Sequence, residues 1–303
     1  MDGKALISHF PLPNHHSANL MIFQQIDSYE FWDSSPDYDI WYAPHVEAFR
    51  QLSPSHSPIS MINARSPPQA PQILHGAYYK AMCINVPQHL LYLVEKAKAY
   101  GVQIVKARLD TSKGFAHALK QAEDLASSSW PTKPSCFINA TGLGALKLCT
   151  DTSVFPVRGQ TVLVKGEARS TITRAGEGYR AYCIPRPGSG TTILGGTKED
   201  GVWDSEPDEN ATEQILRHNA WQVPELLTGP DGGFEVLSVQ CGLRPARRGG
   251  PRIEGEVVGG IRVVHAYGHA GAGYQNSVGS ARKVVGLVGE SVAAAAQGLQ
   301  AKF

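Results

Sequence analysis

The stretch Val263-Val-His-Ala-Tyr-Gly-His-Ala-Gly-Ala-Gly-Tyr-Gln-Asn-Ser-Val-Gly-Ser-Ala281 sets a strand, a glycine loop and a helix start in that order. It begins with an apolar β-type run, crosses a loop holding Gly268, Gly271 and Gly273, and enters a segment with helical spacing. Glycine has no Cβ, so backbone N–H groups at such positions can come close to a ligand. The helix that follows offers unpaired N–H donors and the positive end of its dipole. A loop of this kind suits an anionic or electron-rich ligand edge. The same pattern also describes a plain strand-to-helix turn, so its meaning depends on the rest of the chain.

Outward from this loop, the chain reads as alternating helix and strand on either side of a β-rich middle. A strand is expected around Leu20–Ile26 and another around Asp39–Tyr42, with residues 1–75 otherwise irregular and rich in Pro, Ser and His. Ile73–Val86 reads as extended. Pro87 suits a first helical position, Leu90, Leu91, Val94 and Ala97 form an apolar stripe, and Gly101 caps the end. Val102–Leu109 reads as the next strand, Phe115–Ser127 as a helix, and Cys136–Asn139 as a short strand running into a turn at Gly142 and Gly144. From Val157 onward the pattern becomes short β runs at Thr161–Lys165, Tyr179–Ile184, Thr191–Gly195 and Phe234–Val239, interrupted by a helix near Asn210–Trp221. Consecutive strands of this type predict an antiparallel sheet. Arg262–Ala266 returns to a buried strand and Ala281–Ala295 to a long helix.

Composition narrows the function classes. A chain of 303 residues can bury a sizeable core in one or two domains. A net charge of +1 carries no nucleic-acid footprint. No run of about 20 apolar residues is present, so no membrane span is expected. The N-terminus lacks a basic region followed by an apolar core, so no signal peptide is expected. Five cysteines (Cys83, Cys136, Cys149, Cys183, Cys241) make no C-x-x-C pair, which favours free thiols in a reducing compartment. No His/Cys/Asp cluster has metal spacing, and no G-x-S-x-G motif supports hydrolysis.

Four further stretches accompany the C-terminal loop. They are Asn139-Ala-Thr-Gly-Leu-Gly-Ala145, Pro156-Val-Arg-Gly-Gln-Thr-Val-Leu-Val164, Tyr182-Cys-Ile-Pro-Arg-Pro-Gly188 and Gly242-Leu-Arg-Pro-Ala-Arg-Arg-Gly-Gly-Pro-Arg-Ile-Glu254. In this order the five resemble the D-amino-acid oxidase family of flavoproteins, its fungal members most closely. The resemblance runs from about Tyr78 to about Gly289. It is fainter over residues 1–77, where Phe31-Trp-Asp33 and Trp41-Tyr42 fall in fitting places.

The resemblance implies an α/β fold in which an FAD-binding, Rossmann-like parallel sheet, incomplete at its start, is interleaved with an antiparallel substrate-binding sheet. The expected parts are an irregular substrate-domain segment (1–75), a first FAD-binding part (76–160), the antiparallel substrate domain (161–240) and a second FAD-binding part (241–303). The implied activity is FAD-dependent oxidation of a D-amino acid by dioxygen, giving an imino acid and hydrogen peroxide. Arg244 is then the residue that grips the substrate carboxylate, a role its planar bidentate fork suits. Tyr182 touches the same group through its hydroxyl, Tyr179 is a second aromatic candidate, and the Gly271 carbonyl receives the substrate amino group. Leu109, Thr141, Gly142, Arg244, Ala270, Gly271, Gly273 and Gln275 are the implied FAD contacts. His265 and His269 invite a reading as catalytic bases, but hydride transfer from Cα needs no side-chain base; orientation carries the rate.

The family opens with a strand, a G-x-G-x-x-G turn and a helix that hold the FAD pyrophosphate. No such turn follows a strand in the first hundred residues here. The expectation is a family member without its first dinucleotide-binding unit, which binds FAD poorly. Two alternatives stand beside the oxidase reading: a non-catalytic remnant without FAD, and a D-aspartate oxidase in which Arg174 or Arg180 pairs with an acidic side chain. The partners are a small-molecule substrate and dioxygen, with no nucleic acid and no membrane; the family also admits a homodimer. The terminal Ala301-Lys302-Phe303 departs from the peroxisomal address by its last residue, so peroxisome and cytoplasm are both expected locations.

Overall fold

The structure is a computed structural model that describes residues 22–35, 39–130 and 133–296. The Ala301-Lys302-Phe303 terminus, the 11–17 Pro/Ser/His cluster and the start of the Leu20–Ile26 strand lie outside the described residues. In chain order the elements begin with β1 (Phe23–Trp32), β2 (Glu47–Leu52), α1 (Ser57–Arg65), β3 (His75–Ile84), α2 (Val86–Ala99) and α3 (Phe115–Ser129). They continue with β4 (Phe137–Asn139), α4 (Ala145–Leu148), β5 (Val154–Lys165), β6 (Ser170–Gly176), β7 (Tyr179–Arg186), β8 (Thr191–Gly195) and β9 (Glu199–Asp200). The last are α5 (Glu209–Ala220), β10 (Val236–Arg247), β11 (Arg252–Val258), β12 (Ile261–Tyr267) and α6 (Ser277–Ala296). The chain forms two compact units. The first reaches Gln103 and adds Gly159–Lys198 and Ser205–Gly242; the second comprises Ile104–Arg158, Glu199–Asp204 and the chain from Leu243 on.

The first unit is built on the sheet order β10-β5-β8-β7-β6-β1-β3-β2. Pairs β5–β8, β8–β7, β7–β6, β1–β3 and β3–β2 are antiparallel, and β1–β6 is parallel. The β6–β7 hairpin turns on Glu177-Gly178, where Gly178 takes a left-handed φ of 73° that a side chain would resist. Strand alternation divides β7 cleanly. Ala181, Cys183 and Pro185 are buried, while Arg180, Tyr182 and Ile184 face the other way. The buried side joins Phe31, Ile172 and Leu194 with Ile59 and Ile62 of α1 and Ile215 of α5 in one core. Helix α5 is capped by Asp208, whose carboxylate accepts from the Ala211 N–H at 2.7 Å.

The second unit holds a three-stranded sheet, β11-β12-β4. β11 and β12 form an antiparallel hairpin turning on Gly259-Gly260, both at positive φ. β12 and β4 run parallel, pairing Val263 with Phe137 and His265 with Asn139. Helix α6 packs on β11 and β12, and Ala145, Val154 and Tyr267 make a small core. The architecture is therefore mixed α/β, with a parallel pair in the small sheet and a large, mainly antiparallel sheet beside it in sequence.

Four sequence expectations are corrected. The described residues before 75 are not mainly irregular: β1 is long, and its register along β3 and β6 makes it a central strand. The segment 76–103, expected with the cofactor part, belongs to the first unit because β3 pairs with β1 and β2. Asp39–Tyr42 forms a turn leading into a short 3₁₀ helix (Ala43–His45) rather than a strand. Val102–Leu109, including the implied FAD contact Leu109, is not a strand. Ile104 and Val105 are 63% and 61% exposed. An apolar β run becomes a strand only when a neighbour takes its backbone hydrogen bonds, and among the described residues the small sheet ends at β4. Helix α2 forms as expected, but Leu90, Leu91 and Val94 of its stripe are exposed.

Candidate functional site

In the second unit, the parallel strands β4 and β12 end side by side, and both continue into glycine turns. After Asn139 comes Ala140-Thr-Gly142; after Tyr267 comes Gly268-His-Ala-Gly-Ala-Gly273. The carboxyl ends of parallel strands are where open α/β sheets bind ligands. A cavity of about 470 Å³ lies there, lined by Gly142, Arg244, Ala270, Gly271, Gly273 and Tyr274 among others. Its size falls in the range of small-molecule sites.

The turns are shaped by backbone constraints. Gly142 takes φ 58°, and a Cβ added there would stand 3.5 Å from the Pro245 ring. Gly268 takes φ 89°, and Ala270 adopts the left-handed region at φ 50° despite its side chain. Thr141 is fixed by Asn139, whose side-chain oxygen accepts from the Thr141 hydroxyl at 2.8 Å and from its N–H at 3.3 Å. The other end of the Asn139 amide meets His265 Nδ1 at 3.1 Å. His265 is fully buried, with Nε2 2.8 Å from Glu256, and burial pushes its pKa below the ordinary histidine value, with Arg252 acting in the same direction. His269 Nε2 meets Ser280 Oγ at 2.9 Å, and burial lowers its pKa too. Both imidazoles thus serve as neutral struts of the turns.

Arg244 lies on β10, followed by Pro245, and its Nη1 donates to the Arg158 carbonyl at 3.5 Å. A methyl group at Gly271 would meet Arg244 Cδ at 3.8 Å; at Gly273 it would meet nothing within 4 Å. The loop backbone therefore borders open space in the cavity rather than packed protein. Bare backbone beside a guanidinium fits the flat, electron-rich ring end of a flavin. For the pyrophosphate end, no G-x-G-x-x-G turn occurs in the chain. Thus Gly142, Arg244, Ala270, Gly271 and Gly273 come together. Thr141 is exposed on the adjoining turn, Gln275 is exposed between the loop and α6, and Leu109 is half-buried in the unpaired segment.

In the first unit, Tyr182 lies on the face opposite the core. Its cross-strand partners are Thr173 and Gly195, and Thr173 in turn pairs with Glu30. Residues in register share a face, so Tyr182, Thr173 and Glu30 form one row. Glu30 accepts from Tyr42 at 2.6 Å and from Tyr79 at 3.1 Å. Burial, with the Glu30 charge, pushes the Tyr79 hydroxyl up to about 12. Arg180 stands two residues from Tyr182 on the same face and is exposed. Arg174 points the opposite way: its side chain is 1% exposed and Nε pairs with Asp33 at 2.7 Å. Tyr179 donates to the other Asp33 oxygen at 2.5 Å and stacks on His218. Of the two arginines considered for an acidic side chain, Arg174 is thus taken by Asp33, a residue of the faint Phe31-Trp-Asp33 stretch.

The family profile described as FAD dependent oxidoreductase matches residues 28–287. The chain belongs to this family. It is 34% identical over 259 residues to the D-amino-acid oxidase of Fusarium vanettenii, covering 82% of this chain and 65% of that protein. It is 35% identical over 215 residues to the D-aspartate oxidase of Talaromyces thermophilus, covering 70% and 54%. The chain thus spans less than two thirds of the length of these relatives. Among solved structures, glycine oxidase from Geobacillus kaustophilus shares the fold with a TM-score of 0.63 at 18% identity, over 88% of this chain and 72% of that one.

Two groups escaped the sequence reading. One is the Asn139–His265–Glu256 chain behind the glycine turns; the only signal was polar residues inside apolar strands. The other is the Gly195-Gly196 pair beside Tyr182, whose doublet at a strand end was the available sign. Among the described residues no helix is long and apolar enough to cross a membrane, and no three His, Cys, Asp or Glu side chains gather as a metal site.

Proposed function

We propose that the chain carries the substrate-oxidising machinery of an FAD-dependent D-amino-acid oxidase. The observation that supports this most is Arg244 flanking a glycine-lined cavity at the carboxyl ends of two parallel strands. Bound FAD would supply the hydride acceptor for the substrate Cα–H and the route for the electrons to dioxygen. Gly142, Ala270, Gly271 and Gly273 would hold its ring end, with Thr141, Gln275 and Leu109 as outlying contacts. Arg244 grips the substrate carboxylate with two parallel N–H donors, a stronger and more directional bond than a lysine would make. Tyr182 donates its hydroxyl to a substrate oxygen; Tyr179, on the opposite face of β7 with its hydroxyl on Asp33, steadies the strand that carries Tyr182. The Gly271 carbonyl accepts from the amino group. These contacts act by orientation: they present the Cα–H bond for transfer and leave no proton for a side-chain base to remove from carbon.

A second reading, D-aspartate as substrate, is favoured by Arg180, an exposed cation on the face of Tyr182. The test is direct. The purified chain is examined for flavin absorbance, then assayed for hydrogen peroxide with D-alanine and D-aspartate. Flavin bands with peroxide formation support the proposal, and the ratio of the two rates chooses between the substrates. A colourless protein that stays inactive with added FAD would overturn it in favour of a form that holds no cofactor.

A further inference from the structure

We propose that Gly195 and Gly196 form a bare backbone shelf that positions the ring, and through it the hydroxyl, of Tyr182. The inference rests on the reading of Tyr182 as a substrate contact. Tyr182 and Gly195 are cross-strand partners on β7 and β8. The tyrosine ring leans across its partner strand: a Cβ at Gly195 would fall among the Tyr182 ring atoms Cζ and Cε2 and its hydroxyl oxygen. A Cβ at Gly196 would stand 2.9 Å from the same hydroxyl oxygen and 2.5 Å from the Gln160 carbonyl. The two glycines therefore leave the space that the ring fills. A side chain at either position would push the phenol off its seat.

The shelf is held rigidly. The Gly195 carbonyl accepts from the fully buried Asn219 amide at 3.3 Å, and the Gly196 N–H donates to the Arg180 carbonyl at 3.3 Å. The next residue, Thr197, donates its N–H to the Gln160 carbonyl at 3.3 Å and receives the Gln160 N–H on its hydroxyl at 3.0 Å. Gln160 is itself fully buried. Its amide donates to Asp208 O at 2.7 Å and Thr212 Oγ1 at 2.8 Å, and its Oε1 accepts from Asp208 N–H at 2.7 Å. The strand end under the tyrosine is thus tied to β5, to β7 and to the start of α5. A phenol resting on an anchored backbone has few positions open to it, which is the condition for a hydroxyl that must meet a substrate oxygen. The two glycines act through Tyr182, as positioning residues.

Gly195 is the discriminating position, since its φ is not in the left-handed region and Tyr182 atoms are the nearest obstacles. The experiment is a double-mutant cycle of Gly195→Ala and Tyr182→Ala, read first by melting temperature and then by steady-state kinetics on D-alanine. Gly195→Ala alone should lower the melting temperature by roughly 2–12 °C, the effect of overpacking a filled space. In the Tyr182→Ala background it should lower it by nothing measurable. In the parent, Gly195→Ala should raise KM roughly fivefold, the effect of one displaced hydrogen bond, with kcat changed less. An equal drop in melting temperature in both backgrounds would overturn the shelf. A non-additive drop with KM unchanged would overturn its positioning role. A non-additive drop in a protein that oxidises neither D-alanine nor D-aspartate would keep the shelf and remove the activity reading.

Discussion

Replacing Arg174 by methionine should cost the first unit about 3–5 kcal/mol, the usual penalty for stripping the partner from a buried charge. The ion pair is nearly dry: the two side chains are 1% and 7% exposed, and Nε sits 2.7 Å from Asp33. The guanidinium also donates through Nη2 to the Pro71 carbonyl at 2.5 Å, and Asp33 accepts the Tyr179 hydroxyl on its second oxygen. After the substitution Asp33 keeps one neutral donor and no counter-charge. At about 2–4 °C per kcal/mol for a body of this size, the melting temperature falls by roughly 6–20 °C. Urea denaturation gives the free energy directly. The pair of substitutions Asp33→Leu and Arg174→Met together should recover most of the loss, because neither charge then has to be desolvated. A cost for Arg174→Met below about 1 kcal/mol, the level of an exposed pair, would refute the reasoning. The same result would return Arg174 to the pool of residues that could read an acidic substrate.

Three further outcomes are expected. Arg244→Ala should reduce kcat/KM for a D-amino acid at least roughly 100-fold through loss of a charge-assisted bond, whereas Tyr182→Phe should cost about 1–2 kcal/mol; peroxide assays rank the two. Arg180→Gln should lower the rate on D-aspartate more than on D-alanine, and equal effects on both would remove the acidic-substrate reading. Stability should decline as pH falls below about 6.5, because burial holds His265 below its ordinary pKa and the unfolded chain takes up that proton first. Above pH 6.5 this contribution is fully present, and it is lost as pH drops toward the folded-state pKa; His265→Gln should flatten the slope in urea titrations between pH 7.5 and 5.5. Half-buried His218 and His269, whose pKa values partial burial also lowers, act in the same sense, so some slope remains.

Local chemistry made much of the molecule readable from the chain alone. The Val263–Ala281 pattern of strand, glycine loop and helix is what forms, since an apolar β run, glycines and a long helical segment each favour one backbone state over a few residues. The same holds for β7 and β8, for α3 and α5, and for the gathering of Gly142, Arg244, Gly271 and Gly273 around one cavity, which the ordered motifs implied; β6, just before β7 in the chain, was not expected. Tertiary structure decided what depends on distant partners. Val102–Leu109 has strand composition but finds no ladder neighbour, while Phe23–Trp32, in a segment that looked irregular, becomes central because β3 and β6 take up both of its edges. The split between Arg174 and Arg180 follows from strand alternation and from Asp33, 141 residues away in sequence. The seat of Tyr182 likewise exists only once β7 lies against β8. Dihedral preferences act over neighbouring residues and can be read from them; pairing, burial and charge matching act through space, and the residues that satisfy them are named by the fold.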